Sequence, residues 1–410
     1  MKKLCKNLIK IMIVFILIII LIYVCNVTLL PDSFILMQGE VLNLRTALGF
    51  TVQSASENVS TIQTSNNLNK NKVNDAGTLD VSLNLFGKIP VKDMTVNVIP
   101  KTTVIPIGKA IGMKLYTDGV LVVGMSEING KKPYENSGIQ EGDRIVEINH
   151  EKIDSTNDLI ETVNQCDGTV LEVTYKRDEE TMTASIQPVK TNEDEYKLGL
   201  WVRDAAAGVG TMTFYEPSSG MFAALGHGIT DIDTSELISI ASGELVTTQI
   251  LSIVKGEKGV PGEVRGTIEK STLLGTISKN TNYGVYGKVT NPVRLNINQS
   301  SEMEVALRNE IKTGKAQILC QLDNGKVESY DIEIQKLFLN NNENNKSMLI
   351  KVTDEKLLEK TGGVIQGMSG APIIQNGKFI GAVTHVLIND PTVGYGVFAD
   401  IMIKQLKMVN

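Results

Sequence analysis

Ser369 is the residue of this chain best suited to act as a nucleophile. It stands in Gln366-Gly367-Met368-Ser369-Gly370-Ala371-Pro372, bracketed by glycines. Attack on a carbonyl needs sharply bent backbone and amide N–H groups that can face a developing oxyanion, and glycine permits both. Alone, the segment reads equally as a glycine-rich turn of a β-protein. The residues on its C-terminal side raise it: Ile373-Ile374-Gln375 and Lys378-Phe379-Ile380 flank Asn376-Gly377, a strong hairpin signal. A serine hydroxyl is a weak nucleophile until a base takes its proton, and a third group orients that base. The candidate base is His227, set between glycines in Ala224-Leu225-Gly226-His227-Gly228. A lone histidine in such a place is more often simply satisfied within a turn. His385, in Thr384-His385-Val386, reads as structural, with substrate contact the lesser option, and His150 reads as solvent-facing. The acid stays open. Asp231 and Asp233 lie near His227 in sequence, and Asp390 sits in a turn-type Asn-Asp-Pro. Asp354, ahead of Glu355-Lys356-Leu357-Leu358, fits a helix N-cap as well as it fits a catalytic acid.

The elements that must position these residues are mostly strands. The chain has 410 residues, enough for two or three domains, with few aromatics and 36 glycines, a balance that favours β-structure over helix bundles. Net charge is −6 and no long basic run occurs beyond the N-terminus, so nucleic-acid binding has no electrostatic support. Four scattered cysteines give no disulfide framework, and each reads as a small buried hydrophobe. No HExxH occurs, which argues against a zinc peptidase, and no cofactor is expected. Lys2, Lys3, Lys6 and Lys10 precede an apolar run from Ile11 to Cys25 with no small-residue cleavage site. Residues 1–30 therefore read as an uncleaved single-pass anchor, with the rest of the chain outside the cytoplasm.

Residues 31–100 read as a polar linker, densest from 53 to 78, and a short β segment with alternation over Leu79–Leu85 and Met94–Ile99. Residues 101–190 form a second module. Its marks are the strand Val120–Val123, the run Gly138-Ile139-Gln140-Glu141-Gly142-Asp143-Arg144-Ile145-Val146-Glu147-Ile148-Asn149, and a helix from Ser155 to Gln165. Ser155 or Thr156 would cap that helix, and Leu159, Ile160 and Val163 share a face. Residues 191–410 read as many short strands with glycine turns, which suits a barrel or double barrel.

The second module resembles a PDZ domain through Gly-Ile-x-x-Gly-Asp-x-Ile-x-x-Ile-Asn. The resemblance puts a peptide-binding loop at Ile111, Gly112 and Met113, whose N–H groups would capture a terminal carboxylate. The anchor, the PDZ-like module, Leu225–Gly228 and Thr361–Ile373 together are similar to the family of stage IV sporulation protein B, the signalling serine peptidase of endospore-forming bacteria. That resemblance implies a mainly β protein with an N-terminal transmembrane helix, a PDZ domain and a chymotrypsin-like double β-barrel. It implies a triad of His227, Asp354 and Ser369, with the N–H groups of Gly367 and Ser369 as oxyanion hole. It further implies a forespore-membrane enzyme that cleaves itself and a regulator of an intramembrane metalloprotease, and so starts processing of a sigma factor precursor. Self-association through the PDZ domain is a further option. Two other readings compete: a non-catalytic PDZ adaptor, and a quality-control protease, which would place its peptidase domain before the PDZ domain rather than after it.

Overall fold

The computed structural model describes residues 32–38, 50–54, 76–86 and 88–408, apart from 179, 309 and 340–344, together with positions 10, 12 and 14. The expected anchor and most of the polar linker lie outside the described residues. No helix among the described residues is long and apolar enough to cross a membrane.

A first compact unit ends at Thr102. It is a sheet in the order Ser33–Met37, Ile89–Ile99, Gly77–Leu85, Phe50–Ser54, parallel at its first pair and antiparallel elsewhere. The alternation in its two central strands has the expected result. Val81, Leu83, Met94, Val96 and Val98 are buried on one face.

The second unit, Thr103–Asn410, is organised by two long antiparallel strands, Thr103–Met125 and Leu200–Glu216. They pair from Ile105 opposite Tyr215 to Met125 opposite Leu200. Their outer halves join a PDZ-like sheet: Val120 and Leu121 pair with Arg144–Ile148, which continues into Leu171–Arg177 and Glu180–Ile186. Helix Thr156–Gln165 packs on this sheet through Leu159 and Val163, against Val120, Ile145 and Val173 among others. Ser155 caps the helix, and Asp158 closes a capping box. Ile160, expected on the buried face, is half exposed, because the i, i+4 pair Leu159 and Val163 already fills the contact.

The inner halves of the same two strands enter a barrel. It runs from Leu200–Glu216 through Met221–Ala224, Gly284–Val289, Glu263–Thr281 and Ile240–Val254 to Thr103–Met125, which pairs back onto Leu200–Glu216. A second closed barrel comes next, in the order Gly314–Cys320, Glu328–Leu337, Met348–Val352, Asp390–Phe398, Lys378–Leu387, Pro372–Gln375. Its hairpin turns at Asn376 and Gly377, whose φ values of 52° and 73° are those of the turn that Asn-Gly favours. The second unit is mainly β, with a PDZ-like sheet and two β-barrels.

One expectation is overturned here. Ile111, Gly112 and Met113 form no open loop. Gly112 lies mid-strand, paired with Val209 on one edge and Val246 on the other, and Ile111 and Met113 are buried in the first barrel's core. With both edges of the strand occupied, this segment has no backbone to offer a peptide.

Candidate active site

Ser369 is held by its neighbours' backbone. Gly367 and Gly370 both adopt φ of 95°, a region that glycine tolerates and side-chain-bearing residues avoid. The N–H of Gly370 donates to Val383 O at 2.8 Å, which ties the turn to the strand Lys378–Leu387. Thr211, on Leu200–Glu216, fixes the other side. Its N–H donates to Ser369 O at 3.1 Å and its hydroxyl to Gly367 O at 2.7 Å, while its carbonyl accepts from Leu225 N. This one buried threonine therefore links the serine turn to the segment that carries the histidine. Nothing in its alternating strand, Gly210-Thr211-Met212, marks it out beforehand.

His227 comes after the fully buried strand Met221–Ala224 and a bend in which Leu225 and Gly226 take φ of 71° and 72°. Its Nδ1 lies 2.8 Å from Gly228 O. A carbonyl can only accept, so this contact places the proton on Nδ1 and leaves Nε2 as the basic atom. Burial pushes the His227 pKa below the ordinary histidine value, and the Gly228 carbonyl opposes the shift.

Ser369 and His227 line one cleft of about 830 Å³, together with Ala206–Val209 of the first barrel and Val364–Gly367, Thr384 and His385 of the second. That volume lies in the usual range for a ligand site. The Ser369 hydroxyl donates to Thr384 O at 2.7 Å, so its proton is directed at a carbonyl. Among the described residues, neither the Gly367 N–H nor the Ser369 N–H has an acceptor. Two donors beside a serine are what an oxyanion site requires.

Asp354 is not in this cleft. It is the N-cap of helix Glu355–Thr361, accepting from Leu357 N at 3.0 Å, and its second oxygen accepts from Asp331 N at 3.2 Å. Both oxygens accept from backbone, and among the described residues Asp354 neither lines the cleft nor contacts His227, so the triad implied by resemblance is not assembled here. Among the described residues no carboxylate contacts His227 or acts on its titration. Asp231 is also committed elsewhere, to Arg203 and to the N–H groups of Asp233 and Thr234, and Arg203 pairs with Asp233 as well. Asp390 accepts from Thr392 in its own turn. What does meet His227 is the ring of His385, with centroids 5.1 Å apart.

Residues 194–403, half of the chain, match the family described as SpoIVB peptidase S55, and residues 107–187 match the PDZ domain. The chain is 28% identical over 142 residues to the Regulator of sigma-W protease RasP of Bacillus subtilis (strain 168). That alignment covers 34% of this chain, which spans about a third (31%) of the curated relative's length. Among solved structures, the PDZ domain of the SdrC-like protein from Listeria monocytogenes covers 21% of the chain and 87% of its own, at 21% identity and a TM-score of 0.18. The Rv3671c protease in its inactive form covers 49% of the chain and 84% of its own, at 16% identity and a TM-score of 0.27. With its match to the peptidase family spanning half its length, this chain belongs to the SpoIVB peptidase S55 family and also matches a PDZ domain over residues 107–187.

Proposed function

We propose that the protein is a membrane-tethered serine endopeptidase of endospore formation in which Ser369 attacks and His227 serves as base. The observation that carries this reading is the shared cleft, lined both by a glycine-held serine whose turn offers, among the described residues, two N–H groups without an acceptor and by a histidine whose Nδ1 contact leaves Nε2 as the basic atom. Before attack, the Ser369 hydroxyl turns from Thr384 O to His227. The turn exchanges one hydrogen bond worth about 1 kcal/mol for another and is no barrier to turnover. Nε2 then accepts the hydroxyl proton as Oγ bonds to the substrate carbonyl carbon. The N–H groups of Gly367 and Ser369 receive the oxyanion. The imidazolium returns its proton to the leaving amine, and water releases the acyl group by the same route in reverse.

The proposed substrates are the chain itself, cut in its Ser- and Asn-rich segment near residues 53–78, and a protein that regulates an intramembrane metalloprotease. Extended polar backbone enters a protease cleft easily. The work is done at the forespore membrane, on the side away from the cytoplasm. The test is incubation of the full chain and its Ser369→Ala form with a membrane-tethered candidate regulator. Wild type releases its own N-terminus and cleaves the regulator, and Ser369→Ala does neither. Self-release by Ser369→Ala would remove the nucleophile assignment. Labelling by a fluorophosphonate separates this reading from that of a non-catalytic PDZ adaptor, which would not react.

A further inference from the structure

The strand Lys378–Leu387 loses its regular pairing between Val383 and Val386, and the irregularity contains Thr384 and His385. Such breaks in a ladder re-aim side chains and commonly sit beside active sites. Here the Thr384 carbonyl receives the Ser369 hydroxyl, and the His385 ring meets that of His227 at an interplanar angle of 37°. The His385 Nδ1 is buried and has no hydrogen-bond partner among the described residues. An orphaned buried polar nitrogen is unfavourable in a folded protein and calls for an explanation. We infer that His385 is a positioning residue for His227, a neutral ring that holds the base over Ser369 and faces the positive charge His227 carries during turnover.

This role depends on the proposed roles of Ser369 and His227. Among the described residues, the groups that meet the His227 ring are the Gly228 carbonyl and the His385 ring. Burial, His227 and Lys346 all hold His385 neutral, with its pKa pushed down to about 4. It therefore takes no proton from Ser369 and adds no like charge beside His227. A flat aromatic face and an unprotonated nitrogen are both favourable neighbours for a cation.

The test is saturable fluorophosphonate inactivation of the full chain, with kinact and KI measured across pH for wild type, His385→Phe, His385→Gln and Ser369→Ala. In His385→Phe, kinact should fall at least tenfold with KI within twofold of wild type. Its acid limb should move to lower pH, because the imidazolium has lost the polar, unprotonated ring beside it. His385→Gln, which keeps a polar acceptor, should recover part of the rate. Wild-type kinact and an unmoved acid limb in His385→Phe, with Ser369→Ala unlabelled, would overturn this role and leave the Ser369–His227 reading standing. A fall in rate with the acid limb unmoved and no recovery in His385→Gln would reduce His385 to packing. Labelling of Ser369→Ala would remove the underlying reading instead.

Discussion

Two histidines set the pH behaviour of the site. In the proposed mechanism His227 must be neutral to accept the Ser369 proton, and burial lowers its pKa below the ordinary value of 6.5. The basic form therefore persists to lower pH than in a free histidine. The acid limb of kcat/KM, which reports the free enzyme, should lie below pH 6.5. His385 adds a stability term of defined sign. Its pKa is about 4 when folded against 6.5 ordinarily, so between those values the unfolded chain binds the extra proton. Stability is fully present above about pH 6.5 and is lost as pH falls toward 4. The urea midpoint should drop from pH 7 to pH 5, and His385→Gln should flatten that slope. Asp354 behaves as a cap. Asp354→Asn, which caps as well, should keep wild-type activity, whereas Asp354→Ala should lose about 1 kcal/mol in urea unfolding. A folded Asp354→Asn as inactive as His227→Ala would return the carboxylate to the mechanism.

At the level of elements, two glycines of the nucleophile hairpin should respond very differently. An added Cβ at Gly370 would be driven into the Thr211 carbonyl and the Leu225 backbone, on top of a φ of 95°. Gly370→Ala should cost about 1–2 kcal/mol for left-handed backbone and roughly 1–3 kcal/mol more for the forced displacement, and it should abolish activity. At Gly377 nothing lies within 4 Å of such a Cβ, so Gly377→Ala should cost only the backbone term and stay active. Urea unfolding beside an activity assay checks both. This hairpin was legible in the sequence because Asn376-Gly377 dictates its own local geometry. The Ser155 cap and the alternating strands of the first unit were legible for the same reason. Asp354 was ambiguous because cap and acid ask for the same side chain, and only spatial neighbours decide between them. Ile111–Met113 misled because PDZ-like local sequence says nothing about which strands later close over both edges. Thr211 and the contact between His227 and His385 were invisible, being made across barrels by residues far apart in the chain.

Across the second unit, the PDZ-like sheet and the first barrel are not separable pieces. They share Thr103–Met125 and Leu200–Glu216 as continuous strands. A fragment of residues 191–410 lacks Thr103–Met125 and leaves the edges of Leu200–Glu216 and Ile240–Val254 unpaired. It should be insoluble or devoid of cooperative unfolding by circular dichroism, while a fragment beginning at residue 103 should unfold cooperatively. Arg203 adds a second tie. It stands on the strand that pairs with Leu121, and its guanidinium holds the buried Asp231 and also Asp233, in the loop that leaves the cleft after His227. Arg203→Ala strands a buried carboxylate that keeps its own backbone donors, a loss of roughly 1–3 kcal/mol. Amide exchange across Gly228–Leu237 should quicken in that variant even where the barrels stay protected.

All of this turns on Ser369 as the nucleophile and on His227 as the ionisable group that alone activates it. The decisive experiment is to treat the full chain with a fluorophosphonate, map the adduct by peptide mass spectrometry, and repeat this with His227→Ala and Asp354→Asn. A single adduct on Ser369, lost in His227→Ala and kept in Asp354→Asn, is the expected result. An adduct on another serine, or one on Ser369 that forms at the wild-type rate without His227, would contradict it.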